Sequence, residues 1–179
     1  VNLKGVATGI KEFAQHQTAD RKPAVVVIKS IYGSKASQLA NPGYISSKHA
    51  VKGLVSFASI DLAQPRKNMP QIRVNSVSPG FTPSNMTAGW RRDDATMQSV
   101  SELHPAGRWV DPEDVASAVT YLLSDRAGSV TGTDIFVDHG VHNESIPGRS
   151  ITTNFVSEDR VAESDGLTAA TTAETTAET

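Results

Sequence analysis

The chain contains no cysteine, which excludes disulfide bridges and cysteine-ligated metal sites and is compatible with a reducing compartment. No apolar run approaches the roughly 20 residues that cross a bilayer, and no basic start followed by an apolar core marks a secretory signal. The net charge is −2, with both signs mixed along the chain, so no basic patch is available for nucleic acid or an anionic membrane. We therefore expect a cytoplasmic protein with neither nucleic acid nor membrane as a partner.

Large apolar side chains are absent from the end of the chain, where the last residues, TAATTAETTAET, are only Thr, Ala and Glu. Such a segment cannot bury enough surface to offset its conformational entropy. We divide the chain into a folded part, residues 1–145, and a disordered Thr/Ala/Glu-rich tail, residues 146–179.

The folded part alternates helical and strand patterns. Apolar residues recur at helical spacing in 1–17, in 42–63 and in 114–123. Short β-branched runs predict strands at 24–28 (AVVVI), 72–80 (IRVNSVSPG) and 133–138 (TDIFVD). AVVVI is nearly unbroken, which is typical of a parallel strand covered on both faces. The alternation predicts an α/β fold with a parallel sheet and right-handed crossovers.

Polar residues follow the first two predicted strands. Ser30 ends the first, Tyr44 and Lys48 lie in the first turns of the next helix, and Ser78, Pro79 and Gly80 end the second. Because reactive groups in α/β sheets gather at the carboxyl ends of strands, these segments should meet at one edge. A lone Tyr and Lys at this spacing is also common on a solvated helix surface, and a lone Ser is commonly a turn residue.

The spacing of Tyr44 and Lys48 suits acid–base chemistry. A phenol is a poor base at neutral pH, but an ammonium one helical turn away stabilises the phenolate. A serine hydroxyl within reach would then orient a substrate oxygen while the proton moves.

Five segments, in order, resemble the C-terminal half of a short-chain dehydrogenase/reductase of the compact, single-domain type. They are VNLKG, VVVIKSIYG, YISSKHAVKGLVSFASIDLA, RVNSVSPG and GSVTGTDIFVDHG, and the resemblance covers Val1 to about Val141. It implies a partial Rossmann-like, doubly wound parallel sheet that lacks its first strands. It also implies an NAD- or NADP-dependent oxidoreductase acting on a secondary alcohol or carbonyl compound.

The resemblance also implies roles for individual residues. Tyr44 would be the proton donor or acceptor, Lys48 would stabilise its phenolate and hold the nicotinamide ribose, and Ser30 would bind the substrate oxygen. Asn2 would anchor a water that links Lys48 to solvent. The backbone of Pro79 and Gly80 would lie beside the nicotinamide ring. The carboxamide would form a hydrogen bond with either Thr82 or Ser84.

The sequence departs from the family pattern at several points. Lys29 stands where an asparagine often precedes the serine, and Asp138, His139 and Gly140 replace a more common Asp-Gly-Gly. The glycine-rich dinucleotide fingerprint is not visible, so we expect roughly the first half of such a domain, with the pyrophosphate and adenosine site, to be lacking. An isolated chain should then be poorly folded and inactive.

Other features leave alternatives open. Met86, Trp90 and Met97 fall in the segment where the family carries its substrate-covering loop, and they either contact substrate or pack against the neighbouring helix. His139 and His142 have spacing for a metal pair but lack a third ligand, so a loop position is preferred. The resemblance implies a homotetramer or homodimer. The alternative function is a non-catalytic remnant that acts only through subunit association, while Lys48 argues against elimination chemistry.

Overall fold

The computed structural model describes residues 2–18, 20–37 and 39–143. The predicted tail, residues 146–179, lies outside the described residues, so its disorder stays a prediction. Within the described ranges, no helix combines the length and apolarity needed to cross a membrane.

The order of helices and strands follows the sequence patterns, with one further short helix, Asp94–Ser101, after the second strand. The elements are α1 Lys4–Gln15, β1 Ala24–Ile28, α2 Pro42–Asp61, β2 Arg73–Pro79, α3 Asp94–Ser101, α4 Pro112–Leu123 and β3 Asp134–Val137. Two of the helix starts have a clear local cause. The Asn41 side chain accepts a hydrogen bond from the Gly43 N–H at the start of α2, and the Asp111 side chain accepts one from the Glu113 N–H at the start of α4.

The described strands form one sheet in the order β1-β2-β3. Both pairings are parallel, with Val26 opposite Asn75 and Val77 opposite Ile135. The prediction of an α/β fold with a parallel sheet is therefore confirmed. Because the carboxyl ends of all three strands lie at the same edge, the segments that follow them are brought together.

The prediction that β1 is covered on both faces is only partly right. Val27 is buried, but Ile28 is 48% exposed. In the described sheet β1 has a strand neighbour on one side only, so its other edge and its last residue remain open.

The main hydrophobic core lies between α1, α2 and the sheet. It contains Ile10 and Ala14 of α1, Val51 and Val55 of α2, and Val74 of β2 among its buried members. Leu3 and Phe13, two apolar residues within the helical pattern predicted over 1–17, are 41% and 37% exposed, so the apolar side of this segment is not buried throughout. This core fixes α2, and with it the helical turns that carry Tyr44 and Lys48, against the sheet.

A second apolar cluster lies at the carboxyl edge of the sheet. Its buried members are Ile31, Tyr32, Phe81, Val100 and Val141. It ties the turn after β1 to the loop after β2, and thus supports the edge where the polar residues meet.

Candidate active site

A cavity of about 650 Å³ opens at the carboxyl ends of β1 and β2, beside the first turns of α2. It is lined by seven of the eight residues to which the family resemblance gives a catalytic or cofactor role: Ser30, Tyr44, Lys48, Pro79, Gly80, Thr82 and Ser84. Three segments that are far apart in the chain therefore meet at one site. The eighth residue, Asn2, is outside the lining.

Tyr44 and Lys48 lie one turn apart on the face of α2 that borders this cavity. The Lys48 Nζ is 5.6 Å from the centroid of the Tyr44 ring. It also donates a hydrogen bond of 3.1 Å to the carbonyl oxygen of Ile28 at the end of β1. Burial lowers the pKa of Lys48 from its usual value, because a partly desolvated ammonium is less stable. An ammonium carries three N–H donors, so Lys48 can bind a ligand while it holds the strand end.

Ser30 is held by the turn that follows β1. Its Oγ accepts a hydrogen bond of 3.2 Å from the Tyr32 N–H, and the residue is 7% exposed. Because a hydroxyl can accept and donate at the same time, the Ser30 O–H remains able to donate to an oxygen in the cavity.

Gly33 allows this turn to pack closely on α2. A Cβ at this position would lie 2.8 Å from the Lys48 carbonyl oxygen and 2.9 Å from the Lys29 Cε. A side chain here would therefore push the Ser30 turn away from the helix that carries Tyr44 and Lys48. This contact is the physical reason for a glycine three residues after the serine.

Gly80 is equally tightly placed at the end of β2. A Cβ would lie 2.8 Å from the His104 Nε2 and 3.2 Å from the Asp138 Cα. The Gly80 N–H donates to the Val137 oxygen at 3.0 Å, and the Phe81 N–H donates to the His104 Nε2 at 3.2 Å. The backbone that borders the cavity here is thus fixed from two sides.

The two hydroxyls considered for the carboxamide contact differ in environment. The Thr82 Oγ1 donates to the Gly80 oxygen at 3.2 Å and is half-buried. Ser84 is exposed, and its Oγ lies 3.3 Å from the Thr87 Oγ1. Both line the cavity, so the choice between them stays open.

Asn2 contacts α2 through Ser47 and not through Lys48. Its Nδ2 donates to the Ser47 Oγ at 3.2 Å, and the Ser47 hydroxyl donates to the Tyr44 carbonyl oxygen at 2.8 Å. Asn2 is thereby linked to the Tyr44 turn, and its role toward a water stays a prediction.

The segment expected to cover substrate supplies part of the cavity wall. Met86 and Trp90 line the cavity. Met97 is not among the lining residues, and its carbonyl oxygen accepts a hydrogen bond of 3.2 Å from the Trp109 Nε1.

Tyr32 is a lining residue that the sequence reasoning did not single out. Burial raises the pKa of its phenol above the usual value; a hydrogen bond with Ser37 opposes this shift, and nearby Tyr44 adds to it. Tyr32 therefore stays protonated at neutral pH close to Tyr44. Its position two residues after Ser30 was the available signal, since the turn that orients the serine must also point neighbouring side chains at the same cavity.

His139 and His142, which the sequence spacing suggested as a possible metal pair, do not form part of a metal site among the described residues. The His142 Nδ1 lies 2.7 Å from an Asp138 carboxylate oxygen, and its ring stacks on Phe136 at a centroid distance of 3.8 Å. Among residues 2–18, 20–37 and 39–143, no group of three His, Asp or Glu side chains is arranged to hold a metal ion.

The site fits the nicotinamide end of a dinucleotide. Because Gly80 has no side chain, the backbone at Pro79 and Gly80 borders the cavity and leaves room for a flat ring. Lys48 provides N–H donors for ribose hydroxyls. None of the three described strands is followed by a glycine-rich turn of the kind that binds a pyrophosphate. The described residues therefore fit the nicotinamide end of such a cofactor, and they include no glycine-rich turn to bind its pyrophosphate.

Comparison with known proteins agrees with this geometry. Residues 1–142 match the family model described as enoyl-(acyl carrier protein) reductase. The chain is 34% identical over 144 residues to 3-oxoacyl-[acyl-carrier-protein] reductase FabG of Staphylococcus epidermidis, covering 79% of this chain and 54% of that protein. It is 33% identical over 140 residues to cis-4-hydroxycyclohexanecarboxylate dehydrogenase of Sinomonas cyclohexanicum, covering 78% of this chain and 53% of that protein.

Among solved structures, a gluconate 5-dehydrogenase from Burkholderia cenocepacia in complex with NADP and tartrate superimposes with a TM-score of 0.72. The two proteins are 27% identical, and the match covers 80% of this chain and 54% of the dehydrogenase. The chain thus spans about half the length of the relatives that it matches.

Proposed function

Because the chain belongs to the short-chain dehydrogenase/reductase family, we propose that its parent protein transfers a hydride between NAD or NADP and a secondary alcohol or carbonyl compound. The observation that carries this proposal is the convergence of Ser30, Tyr44 and Lys48 on one cavity beside the Pro79–Gly80 backbone. Relatives that are named as dehydrogenases and reductases support it.

In the reductive direction, the Tyr44 hydroxyl donates its proton to the carbonyl oxygen of the substrate. The negative charge left on the phenolate is stabilised by the Lys48 ammonium, 5.6 Å from the Tyr44 ring centroid. The Ser30 hydroxyl, oriented by the Tyr32 N–H, donates a hydrogen bond to the same substrate oxygen. In the oxidative direction, the phenolate removes the alcohol proton.

The proposed cofactor site uses residues of the same cavity. Lys48 binds the ribose hydroxyls together with Tyr44, the Pro79 and Gly80 backbone borders the ring, and Thr82 or Ser84 bonds the carboxamide. The bound nicotinamide supplies or accepts the hydride. Asn2 supports the Tyr44 turn through Ser47, which is consistent with the proposed role at the solvent side of Lys48.

A substitution at Tyr44 tests the catalytic proposal. In the full protein that carries this chain, Tyr44→Phe should lower kcat by about 10²–10⁴-fold, because the general acid is lost. Binding of NAD(P)H, followed by its fluorescence, should weaken by the loss of one ribose contact but remain measurable. Tyr121→Phe is the matched control, since Tyr121 is 43% exposed and outside the cavity lining. Unchanged turnover in Tyr44→Phe would remove Tyr44 from the mechanism.

We also propose that copies of the parent protein associate through the outer faces of α1 and α2. Phe57 and Ile60 of α2 are 68% and 67% exposed, and Phe13 of α1 is 37% exposed. Apolar side chains left in water on neighbouring helices are typical of an interface. Sedimentation should show a homodimer or homotetramer that Phe57→Glu dissociates, whereas a wild-type monomer would contradict the proposal.

The same measurements distinguish the non-catalytic alternative. A remnant that acts only through subunit association would assemble normally and show no turnover that depends on Tyr44. The two readouts, sedimentation and hydride transfer, separate the alternatives because they report on different surfaces of the protein.

A further inference from the structure

The cavity wall beyond the proposed catalytic residues is apolar and largely aromatic. Side chains on this wall are Ile31, Tyr32, Leu39, Phe81, Met86 and Trp90. We propose that the substrate is an uncharged cyclic or aryl ketone, or the corresponding secondary alcohol. This inference rests on the proposed function and names the substrate class of that site.

Three aromatic rings form a continuous part of the wall. Phe81 contacts Tyr32 edge-on, with ring centroids 6.2 Å apart, and Trp90 in a tilted arrangement at 5.2 Å. Tyr32 and Phe81 are each 7% exposed, so packing holds them in place. A rigid aromatic wall favours a compact ring over a flexible polar chain, because a ring presents apolar area without losing conformational freedom on binding.

The cavity rim also leaves apolar side chains in water. Leu39, Met86 and Trp90 are 53%, 81% and 38% exposed, and all three line the cavity. Exposed apolar residues that surround one cavity mark a binding surface for an apolar ligand. A bound ring would cover this rim.

No positive charge in the described lining is available to receive an anionic group of the substrate. Lys29 and Lys48 are the charged members of that lining, and Lys29 forms an ion pair with Asp134. Lys48 holds the Ile28 carbonyl oxygen and is proposed to bind the cofactor. The Arg91 guanidinium is outside the lining and donates to the Ser84 oxygen at 2.9 Å. A carboxylate or phosphate on the substrate would be desolvated here without a partner.

Two polar side chains on this part of the wall, Asn41 and Thr87, use their oxygen atoms in hydrogen bonds within the protein. The Asn41 Oδ1 caps α2 through the Gly43 N–H at 2.8 Å, and the Thr87 Oγ1 donates to the Thr82 oxygen at 2.9 Å. Selectivity for a polyhydroxylated substrate requires polar side chains in the site that are free to form hydrogen bonds with the substrate hydroxyls. The Asn41 and Thr87 oxygen atoms are already engaged within the protein, and most of the remaining side chains on this part of the wall present carbon to the ligand.

The reaction balances as a two-electron reduction. The nicotinamide hydride forms the new C–H bond at the carbonyl carbon, the carbonyl π bond breaks toward oxygen, and Tyr44 supplies the proton for the new hydroxyl. The oxidised nicotinamide and the cyclic or aryl carbinol are the products.

A matched pair of ketones tests the substrate class. In the full protein, kcat/KM for 4-methylcyclohexanone should exceed that for 4-oxocyclohexanecarboxylate by at least about tenfold, because the two differ in one buried charge. Saturation-transfer NMR with the oxidised cofactor present, so that Lys48 is engaged and the ketones cannot react, should show the same order of binding. Equal or greater efficiency with the carboxylate, still lost in Tyr44→Phe, would overturn the substrate class and leave the proposed function standing. Absence of turnover for every ketone tried with NADH or NADPH, and for every alcohol tried with NAD+ or NADP+, would overturn both.

A substitution at Trp90 tests the aromatic wall. Trp90→Ala should lower kcat/KM for 4-methylcyclohexanone by about tenfold, with little change for acetone, which is too small to reach the wall. Trp90→Phe should restore most of the loss, and Tyr121→Ala, outside the cavity, should have no effect. An equal loss for both ketones, or no loss for either, would contradict the assignment of this wall to the substrate.

Discussion

Lys29 and Asp134 form an ion pair that joins the residue before Ser30 to the first residue of β3. The Lys29 side chain is fully buried and also donates to the Ser34 Oγ at 3.2 Å. Asp134 accepts hydrogen bonds from the Ser76 and Ser78 hydroxyls, each 2.9 Å from its Oδ1. The residue that looked like a departure from the family pattern is therefore the centre of a polar network that ties the Ser30 turn to the sheet.

Removal of one charge from this network should destabilise the protein strongly. We expect Lys29→Met to lower the free energy of unfolding by about 3–5 kcal/mol, because it leaves the Asp134 carboxylate partly buried and unpaired. The double variant Lys29→Met with Asp134→Asn should recover most of the loss, since the amide oxygen can still accept from the serines. Urea unfolding of the full protein measures both.

The surface pair Arg66–Asp61 offers a matched control for that experiment. Its side chains are 39% and 41% exposed, so Arg66→Met should cost less than about 1 kcal/mol. Equal losses of unfolding free energy in Lys29→Met and Arg66→Met would show that the buried network does not stabilise the protein more than a surface ion pair does.

Gly80→Ala should disturb the end of β2. Its Cβ would lie 2.8 Å from the His104 Nε2 and 3.2 Å from Asp138 atoms, so ring or backbone must shift at a cost of about 1–3 kcal/mol. The shift would move backbone at the proposed nicotinamide site, so NAD(P)H affinity should fall as well. Gly9→Ala, where no atom lies within 4 Å in the middle of α1, should instead stabilise by up to about 1 kcal/mol. Thermal unfolding and NAD(P)H titration of both variants would check this contrast.

His104 should make stability depend on pH. Burial is the main cause that lowers the pKa of His104 below 6.5, and nearby His139 lowers it further. A hydrogen bond with the Val100 backbone and the charge of Asp138 oppose this shift. As pH falls below about 6.5, the unfolded chain takes up a proton that the folded chain resists, so stability decreases. From pH 7.5 to 5.5, this residue should contribute a loss of at most about 1.4 kcal/mol, the limit for an imidazole that stays neutral in the folded protein.

The variant His104→Gln isolates that contribution. Glutamine can accept from the Phe81 N–H without titrating, so the variant should show a flatter decline in unfolding free energy between pH 7.5 and 5.5 than the wild type. A slope equal to that of the wild type would mean that other groups account for the acid sensitivity.

Residues 1–179 expressed alone should be poorly folded and inactive. The open edge of β1, with Ile28 48% exposed, is a site for pairing with other chains, which favours aggregation. Light scattering, denaturant unfolding and NAD(P)H binding would measure the outcome. A cooperative unfolding transition together with micromolar NAD(P)H binding would contradict the prediction.

Local patterns in the sequence determined much of the backbone. The β-branched run 24–28 became β1 with the predicted bounds, and the helical pattern over 42–63 became α2, which begins at Pro42 as predicted. These signals are local, because strand propensity, helix period and capping depend on residues near one another in the chain. The order of the elements then brought Ser30 and Gly80 to one edge of a parallel sheet, which is why the site could be anticipated.

Tertiary structure alone decided which side chains surround that site. Three sets of contacts join residues that are distant in the chain: the ion pair of Lys29 with Asp134, the approach of His104 to Gly80, and the ring contact of Tyr32 with Phe81. No periodicity encodes such contacts, since they depend on how the loops after β1 and β2 pack on each other. The sequence thus determined the fold class and the positions of the polar residues, and tertiary packing determined the buried ion pair and the aromatic wall.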